Sequence, residues 1–178
     1  MKIKSDKFLT LLQNDKISYN IFLFYGPNFG LINLIYKKSI DSLSIDLNDP
    51  FNVSKIDGND FKENPSILND NISTLSITRD KRVILLDLTY ITVNKTIEGA
   101  ILDTQKEKNN DYLLLIKANN LSSKNELVKF IEKLENGILV PCYEENISEV
   151  ETQISRLFNQ YKLKFSPNFV SVLSSKFN

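Results

Sequence analysis

The sequence predicts an α/β protein: a five-stranded parallel sheet with helices on both faces, followed by a small, incomplete all-helical domain. Three observations carry this expectation. Short, continuously apolar runs bounded by turn residues recur through the first 140 or so positions, and segments with a helical apolar stripe separate them. Beyond a polar break at Glu144-Glu145-Asn146 only helical spacing remains. Runs so short and so apolar read as strands covered on both faces. Alternation with crossovers of this length demands parallel strands and right-handed connections.

In chain order, Ile21-Phe22-Leu23-Phe24-Tyr25 is the first strand. Ile32, Tyr36, Ile40, Leu43 and Leu47 then fall on one helical stripe, with Asn33, Lys37 and Asp41 on the wet side. Phe51 to Ile56 is the second strand, and Asp57-Gly58-Asn59-Asp60 reads as a turn. A helix carrying Ile67/Leu68, Ile72 and Leu75 precedes the third strand, Val83-Ile84-Leu85-Leu86. Val93, Ile97 and Ile101 mark the next helix, Asn109-Asn110-Asp111 a loop, and Tyr112 to Ile116 the fourth strand. A capping box, Ser123 with Glu126 three residues on, opens a helix with Leu127, Phe130/Ile131 and Leu134 inward, and Ile138-Leu139-Val140 closes the sheet.

The first domain is thus expected over residues 1–143 and a helical one over 144–178. In the latter, Ser148 and Glu151 form a second capping box before Val150, Ile154, Leu157/Phe158 and Tyr161. Ser166-Pro167 opens a last helix, cap residue then proline, with Val170, Leu173 and Phe177 on one stripe. Two helices make a poor independent domain, so the sequence reads as a fragment cut inside or just after a small helical domain.

Composition narrows the chemistry. With 42% hydrophobic and 25% charged residues among 178, disordered, collagenous and coiled-coil readings fall away. No stretch approaches the ~18 apolar residues of a membrane span, and the start lacks the apolar core of a signal peptide, so a cytoplasmic location without membrane contact is expected. There is no His and one Cys, which leaves no ligand set for zinc and no imidazole for acid/base work. The 22 basic and 22 acidic residues cancel, so no global field draws the chain onto nucleic acid.

Sites in such sheets lie at the carboxyl ends of the strands. The turn after the first strand, Gly26-Pro27-Asn28-Phe29-Gly30-Leu31-Ile32-Asn33, invites comparison with a nucleotide-binding P-loop. A phosphate cradle needs converging backbone N–H groups, a Lys for the outer phosphates and a hydroxyl for magnesium. This turn has neither Lys nor hydroxyl, and Pro27 removes a donor. In Leu85-Leu86-Asp87-Leu88 a carboxylate able to hold magnesium survives, but Leu88 stands where an ATPase wants a Glu to orient water. The scaffold is that of a nucleotide hydrolase with its chemistry missing, and no cofactor and no metal are expected. Asp57, Asp60 and Glu63 read as solvated turn formers, Cys142 as a small buried hydrophobe at a domain junction, and Asn119 and Asn120 as loop caps.

Several segments together resemble the δ subunit of bacterial DNA polymerase III. They are Phe24-Tyr25-Gly26-Pro27-Asn28-Phe29-Gly30-Leu31, Asp49-Pro50-Phe51-Asn52-Val53 with Ile56-Asp57-Gly58, Thr74-Leu75-Ser76 before Lys81-Arg82-Val83-Ile84, and Val140-Pro141-Cys142-Tyr143. The resemblance implies an AAA+-like fold with a helical lid and no ATP hydrolysis by this chain. It implies binding to the sliding clamp (the β subunit), alongside the other loader subunits δ′ and τ/γ. DNA would be reached through the complex, whose polymerase is the nucleotidyltransferase. The family's third, collar domain is not in the sequence. In the family an apolar pair ahead of the third strand plugs a pocket on the clamp, and the matching positions are Ile77 and Thr78, with Leu75 adjacent. Thr78 departs from the large aromatic usual there, which removes on the order of 1.5–3 kcal/mol of apolar burial. Without the resemblance, an apolar residue just before a strand would be read as core. Arg79, Lys81 and Arg82 either steer an acidic partner or form a solvated connection. The rival readings are a divergent P-loop NTPase, which the missing Lys opposes, and a structural subunit like δ′, whose zinc-binding cysteines are absent here.

Overall fold

The apolar runs become β1 (Ile21–Gly26), β2 (Val53–Asp57), β3 (Arg82–Leu88), β4 (Tyr112–Asn119) and β5 (Gly137–Pro141). They form one sheet in the order β2-β3-β4-β1-β5 with every neighbouring pair parallel. This computed structural model describes residues 1–14, 19–74, 81–104, 111–119, 121–143 and 147–176. It divides into two units, Met1–Cys142 and Tyr143–Asn178.

Alternate residues of each strand feed opposite faces, so near-continuous apolar runs are what two covered faces require. Ile21, Leu23 and Tyr25 join Leu86, Leu114 and Ile116 under α3 (Gly58–Glu63), α4 (Ser66–Ser73), α5 (Lys95–Asp103) and α6 (Glu126–Lys133). Phe22 and Phe24 join Leu85, Leu115, Ile138 and Val140 under α1 (Ser5–Asn14) and α2 (Phe29–Ser42). Each large side chain removed from water in this way contributes about 1.5–3 kcal/mol. Phe8 and Leu12 bring α1 onto the second face; this helix is not among the sequence expectations, although Phe8, Leu9, Leu11 and Leu12 fall at helical spacing. Residues 1–3 also cover the free edge of β5. The N-terminal ammonium donates to the Gly137 carbonyl (2.7 Å), Leu139 N–H to Met1 (2.8 Å) and Ile3 N–H to Leu139 (2.9 Å), which occupies backbone groups an edge strand would otherwise expose.

Several local expectations need correction. The second strand begins at Val53, because Phe51 and Asn52 lie in a turn gathered by Asp49. Its carboxylate accepts from Phe51 N–H (2.9 Å), Asn52 N–H (3.2 Å) and the Asn52 amide (2.8 Å). As the outer strand, β2 is buried only at Ile56 and is not covered on both faces. Helix α2 stops at Ser42 instead of running to Leu47, which is exposed. Ser44 adopts φ 53°, Ser44 N–H reaches the Asp41 carbonyl and Ile45 N–H the Ile40 carbonyl, both at 3.1 Å. That is a Schellman closure without its usual glycine. Asp57-Gly58-Asn59-Asp60 is the start of helix α3, with Asp57 as N-cap accepting from Asn59 N–H at 2.8 Å. The cap of α6 is Asn125, accepting from Leu127 N–H (2.9 Å), while Ser123 and Glu126 are exposed. The Asn125 amide also donates to the buried Glu98 of α5 (3.0 Å), a link unavailable to Ser123.

The second unit holds α7 (Ile147–Gln160) and α8 (Pro167–Ser174). Because α7 already includes Ile147, Ser148 lies inside its first turn and does not cap it. Its inward stripe is narrower than expected: Leu157 and Tyr161 are exposed, and Phe158 makes the ring contacts, with Phe165 (5.3 Å) and Phe169 (5.9 Å). Ser166 caps α8, accepting from Phe169 N–H at 3.2 Å, with Pro167 in its first turn, and Val170 is buried. Phe177, Asn109, Asn110 and Asn120 lie outside the described residues.

Candidate functional site

Two places at the ends of the sheet were marked by the sequence: the turn after β1 and the segment before β3. At the first, Gly26 ends β1 with φ 138°, a backbone state that L side chains rarely adopt. A Cβ there would lie 2.2 Å from the Cys142 carbonyl oxygen, because the chain leaving β5 presses against the turn. Cys142 N–H donates to the Tyr25 carbonyl (2.7 Å) and Asn28 N–H donates to the Cys142 carbonyl (3.1 Å). Asn28 caps α2, its side chain accepting from Leu31 N–H at 2.9 Å, and Phe29 N–H turns back to the Pro27 carbonyl at 3.1 Å. The donors that a phosphate cradle would direct at an anion are thus largely engaged within the protein. Counted from Gly26, the P-loop spacing G-x-x-x-x-G-K-[S/T] puts Leu31 at the second glycine, the fully buried Ile32 at the lysine and Asn33 at the magnesium-binding hydroxyl. Gly30 is exposed, and the ring of its neighbour Phe29 lies 5.9 Å from that of the exposed Tyr90.

Beside this turn, Asp87 at the end of β3 stands in register with Lys117 of β4. The carboxylate bonds the Lys117 ammonium at 2.6 Å and accepts from Thr89 N–H at 3.0 Å and from the Thr89 hydroxyl. Partial burial alone would raise the Asp87 carboxyl, but the hydrogen bonds from Lys117 and Thr89 and the charge of Lys117 outweigh it and hold the group below the usual carboxylate range. Lys117 also donates to Asn33 Oδ1 at 3.4 Å and lies 5.0 Å from the centre of the Tyr36 ring. Burial, followed by the Asp87 charge, drives the Tyr36 phenol upward, so it stays neutral. Lys117 directly follows the fourth apolar run, Tyr112 to Ile116, and carries no role in the sequence reading. The usable signal was a charged residue closing an otherwise apolar strand opposite a surviving acidic one.

Tested against a magnesium nucleotide, these residues do not fit. The turn's donors are largely spent, the lysine position is a buried isoleucine, and the acidic residue is already neutralised by a protein cation. Among the described residues no group of three or more His, Cys, Asp or Glu is placed to hold a metal ion.

The second place is the connection between α4 and β3. Leu75, Ile77, Thr78 and Arg79 lie outside the described residues, but both roots are visible. Thr74 ends α4, its N–H and hydroxyl donating to the Asp70 carbonyl at 3.2 and 2.7 Å. Arg82 opens β3, its guanidinium donating to the Phe51 carbonyl (2.9 Å), Ser54 Oγ (2.9 Å) and Asn71 Oδ1 (3.2 Å). It ties the turn before β2, β2 itself and α4 together. Lys81 donates to Asn20 Oδ1 at 3.2 Å. Of the basic residues left open by the sequence, Arg82 and Lys81 therefore both have partners within the fold.

Cys142 is fully buried, and burial pushes its thiol up to about 12. At neutral pH the group is therefore held as the unreactive thiol. The folded chain is accordingly expected to resist a thiol reagent such as dithionitrobenzoate and to release one equivalent in denaturant; rapid labelling before unfolding would contradict this burial.

A parallel sheet with this strand order, an α2 turn of P-loop length and an acidic residue near the end of β3 define a P-loop-type α/β domain whose turn lacks the lysine and hydroxyl of a phosphate cradle. The chain belongs to the family described as DNA polymerase III, delta subunit, whose model matches residues 22–143. Among solved structures it is similar to the DNA clamp loader delta protein YqeN of Bacillus subtilis, with TM-score 0.67 and 16% identity over 95% of this chain and 51% of that one. It is also similar to a RuvB variant from Thermotoga maritima (TM-score 0.54, 12% identity, 96% of this chain and 54% of that one). AMPPCP-bound DnaA from Aquifex aeolicus gives TM-score 0.54 and 15% identity over 94% and 54%. These likenesses establish an AAA+-like fold, and the chain spans about half the length of the structures it matches. No curated protein sequence matches it.

Proposed function

We propose that this chain acts in DNA replication as the δ subunit of a clamp loader, a binding subunit that makes and breaks no bond itself. In this reading it grips the sliding clamp through the segment containing Leu75, Ile77 and Thr78 and helps hold the ring open, while δ′ and τ/γ-type partners complete the loader and ATP is hydrolysed elsewhere. The first domain, residues 1–143, carries the clamp contact, and residues 144–178 begin the lid. The observation that carries the proposal is the family match across residues 22–143, which spans the segment in question. The filled turn at Gly26, Pro27, Asn28 and Gly30 supports it, because a subunit that binds rather than hydrolyses has no use for a phosphate cradle. Arg82 supports it too: with three hydrogen bonds at its base, the segment leaves the sheet from a fixed root, and a fixed root lowers the ordering cost of binding.

The test is surface plasmon resonance against the cognate sliding clamp, with and without ATP. Saturable binding indifferent to ATP is expected. Apolar anchors in partner pockets are typically worth about 2 kcal/mol or more, so the double variant Leu75→Ser with Ile77→Ser is expected to weaken binding by about 30-fold or more. Unchanged affinity in that variant would move the contact elsewhere. Absence of clamp binding together with specific ATP binding would replace this reading with a divergent NTPase.

A further inference from the structure

The mismatch between these residues and a magnesium nucleotide has a specific form. In P-loop NTPases the metal is held by the Ser/Thr that ends the loop motif and by the acidic residue closing the third strand. The residues at those two positions here, Asn33 and Asp87, converge on one cation, the ammonium of Lys117, at 3.4 and 2.6 Å. The Lys117 side chain is 14% exposed, and the Tyr36 ring lies 5.0 Å from its ammonium with the electron-rich aromatic system that favours a cation.

We infer that Lys117 is a built-in substitute for the divalent cation: its ammonium occupies the position between Asn33 and Asp87 where a P-loop protein would hold the metal, and it keeps the domain in one arrangement without a ligand. Asp87 links β3 to β4 through Lys117, and Lys117 links β4 to α2 through Asn33. Three elements that a bound nucleotide would otherwise draw together are therefore held by a covalently attached charge. Such a device suits a subunit whose shape must not vary with nucleotide state. It also differs from simple loss of a site, because the acidic residue is retained and used. An ammonium brings one positive charge and three donors where a divalent ion brings two charges and takes only acceptors, and Asn33 presents its carbonyl oxygen, which serves either.

The experiment removes the internal cation and offers the external one. Lys117→Met leaves Asp87 partly buried without its counter-charge, and a fall in Tm of roughly 3–8 °C is expected for a domain of this size. Millimolar MgCl2 or MnCl2 should restore part of that loss, whereas NaCl at matched ionic strength should not, and the wild-type chain should respond to neither. In Asp87→Asn with Lys117→Met there is no charge to satisfy, so the divalent response should vanish. If Lys117→Met fails to fold, Lys117→Gln keeps a donor toward Asp87 and is expected to show the same divalent-specific recovery. The inference is overturned if neither neutral variant responds to divalent ions, or if the wild-type chain responds as strongly. Clamp affinity should be unchanged in these variants, so this result and the fate of the clamp-binding reading are separable.

Discussion

Replacing Gly26 by alanine is expected to destabilise the α/β unit by about 3 kcal/mol or more, roughly 10 °C in Tm for a domain of this size. Two costs combine. A side chain at φ 138° is strained by its own backbone, and its Cβ would stand 2.2 Å from the Cys142 carbonyl oxygen and 2.7 Å from the carbonyl carbon. Both obstacles are backbone atoms, which cannot swing aside as a side chain would. Relief would require the chain leaving β5 to retreat and stretch the bonds from Cys142 N–H to Tyr25 and from Asn28 N–H to Cys142. Thermal melts followed by far-ultraviolet circular dichroism check this, and a curve superimposing on that of the wild type would mean that the turn relaxes at little cost. The position matters beyond stability, because the same close approach lets the Asn28 N–H of the turn donate to the Cys142 carbonyl.

Phe24→Ala is expected to cost about 3–5 kcal/mol, the range for deleting a fully buried aromatic ring. Phe24 is completely buried, with ring centroids 5.6 Å from Phe8 of α1 and 5.9 Å from Tyr36 of α2, both edge-on. It is the shared contact of a strand and two helices, so the cavity opens between three elements and cannot be closed by moving one of them. The loss also removes support from Tyr36, the ring beside Lys117. Urea denaturation measures the change. Leu157→Ala, at a half-exposed position on α7, serves as the control and should fall within about 0.5 kcal/mol of the wild type. Equal effects of the two substitutions would contradict the burial pattern.

Four of the strands, their parallel direction and the helical character of the chain beyond Tyr143 were legible because burial on both faces writes itself into local composition. The outer strand β2, buried only at Ile56, lacks that signature, and its start was misplaced accordingly. The degraded turn was legible for the same reason, since a missing lysine and a missing hydroxyl are visible in eight consecutive residues. Element ends were less so. The stop of α2 rests on a Ser in the left-handed region, which carries no glycine to announce it, and the cap of α6 was won by Asn125 because Glu98, 27 residues earlier, offered its amide a partner.

The amino-acid sequence by itself determined the class of fold, the absence of phosphate-binding groups after β1, and the burial of Cys142. Only the tertiary structure decided what replaces the missing chemistry. Asn33 and Lys117 are 84 residues apart and meet only because α2 packs on the strand beside β1, while Asp87 meets Lys117 only through the register of β3 against β4. Local spacing reports which groups a segment owns. Which of them neutralise one another depends on the order of strands in the sheet, and that order is set by the burial of two whole faces rather than by any one segment.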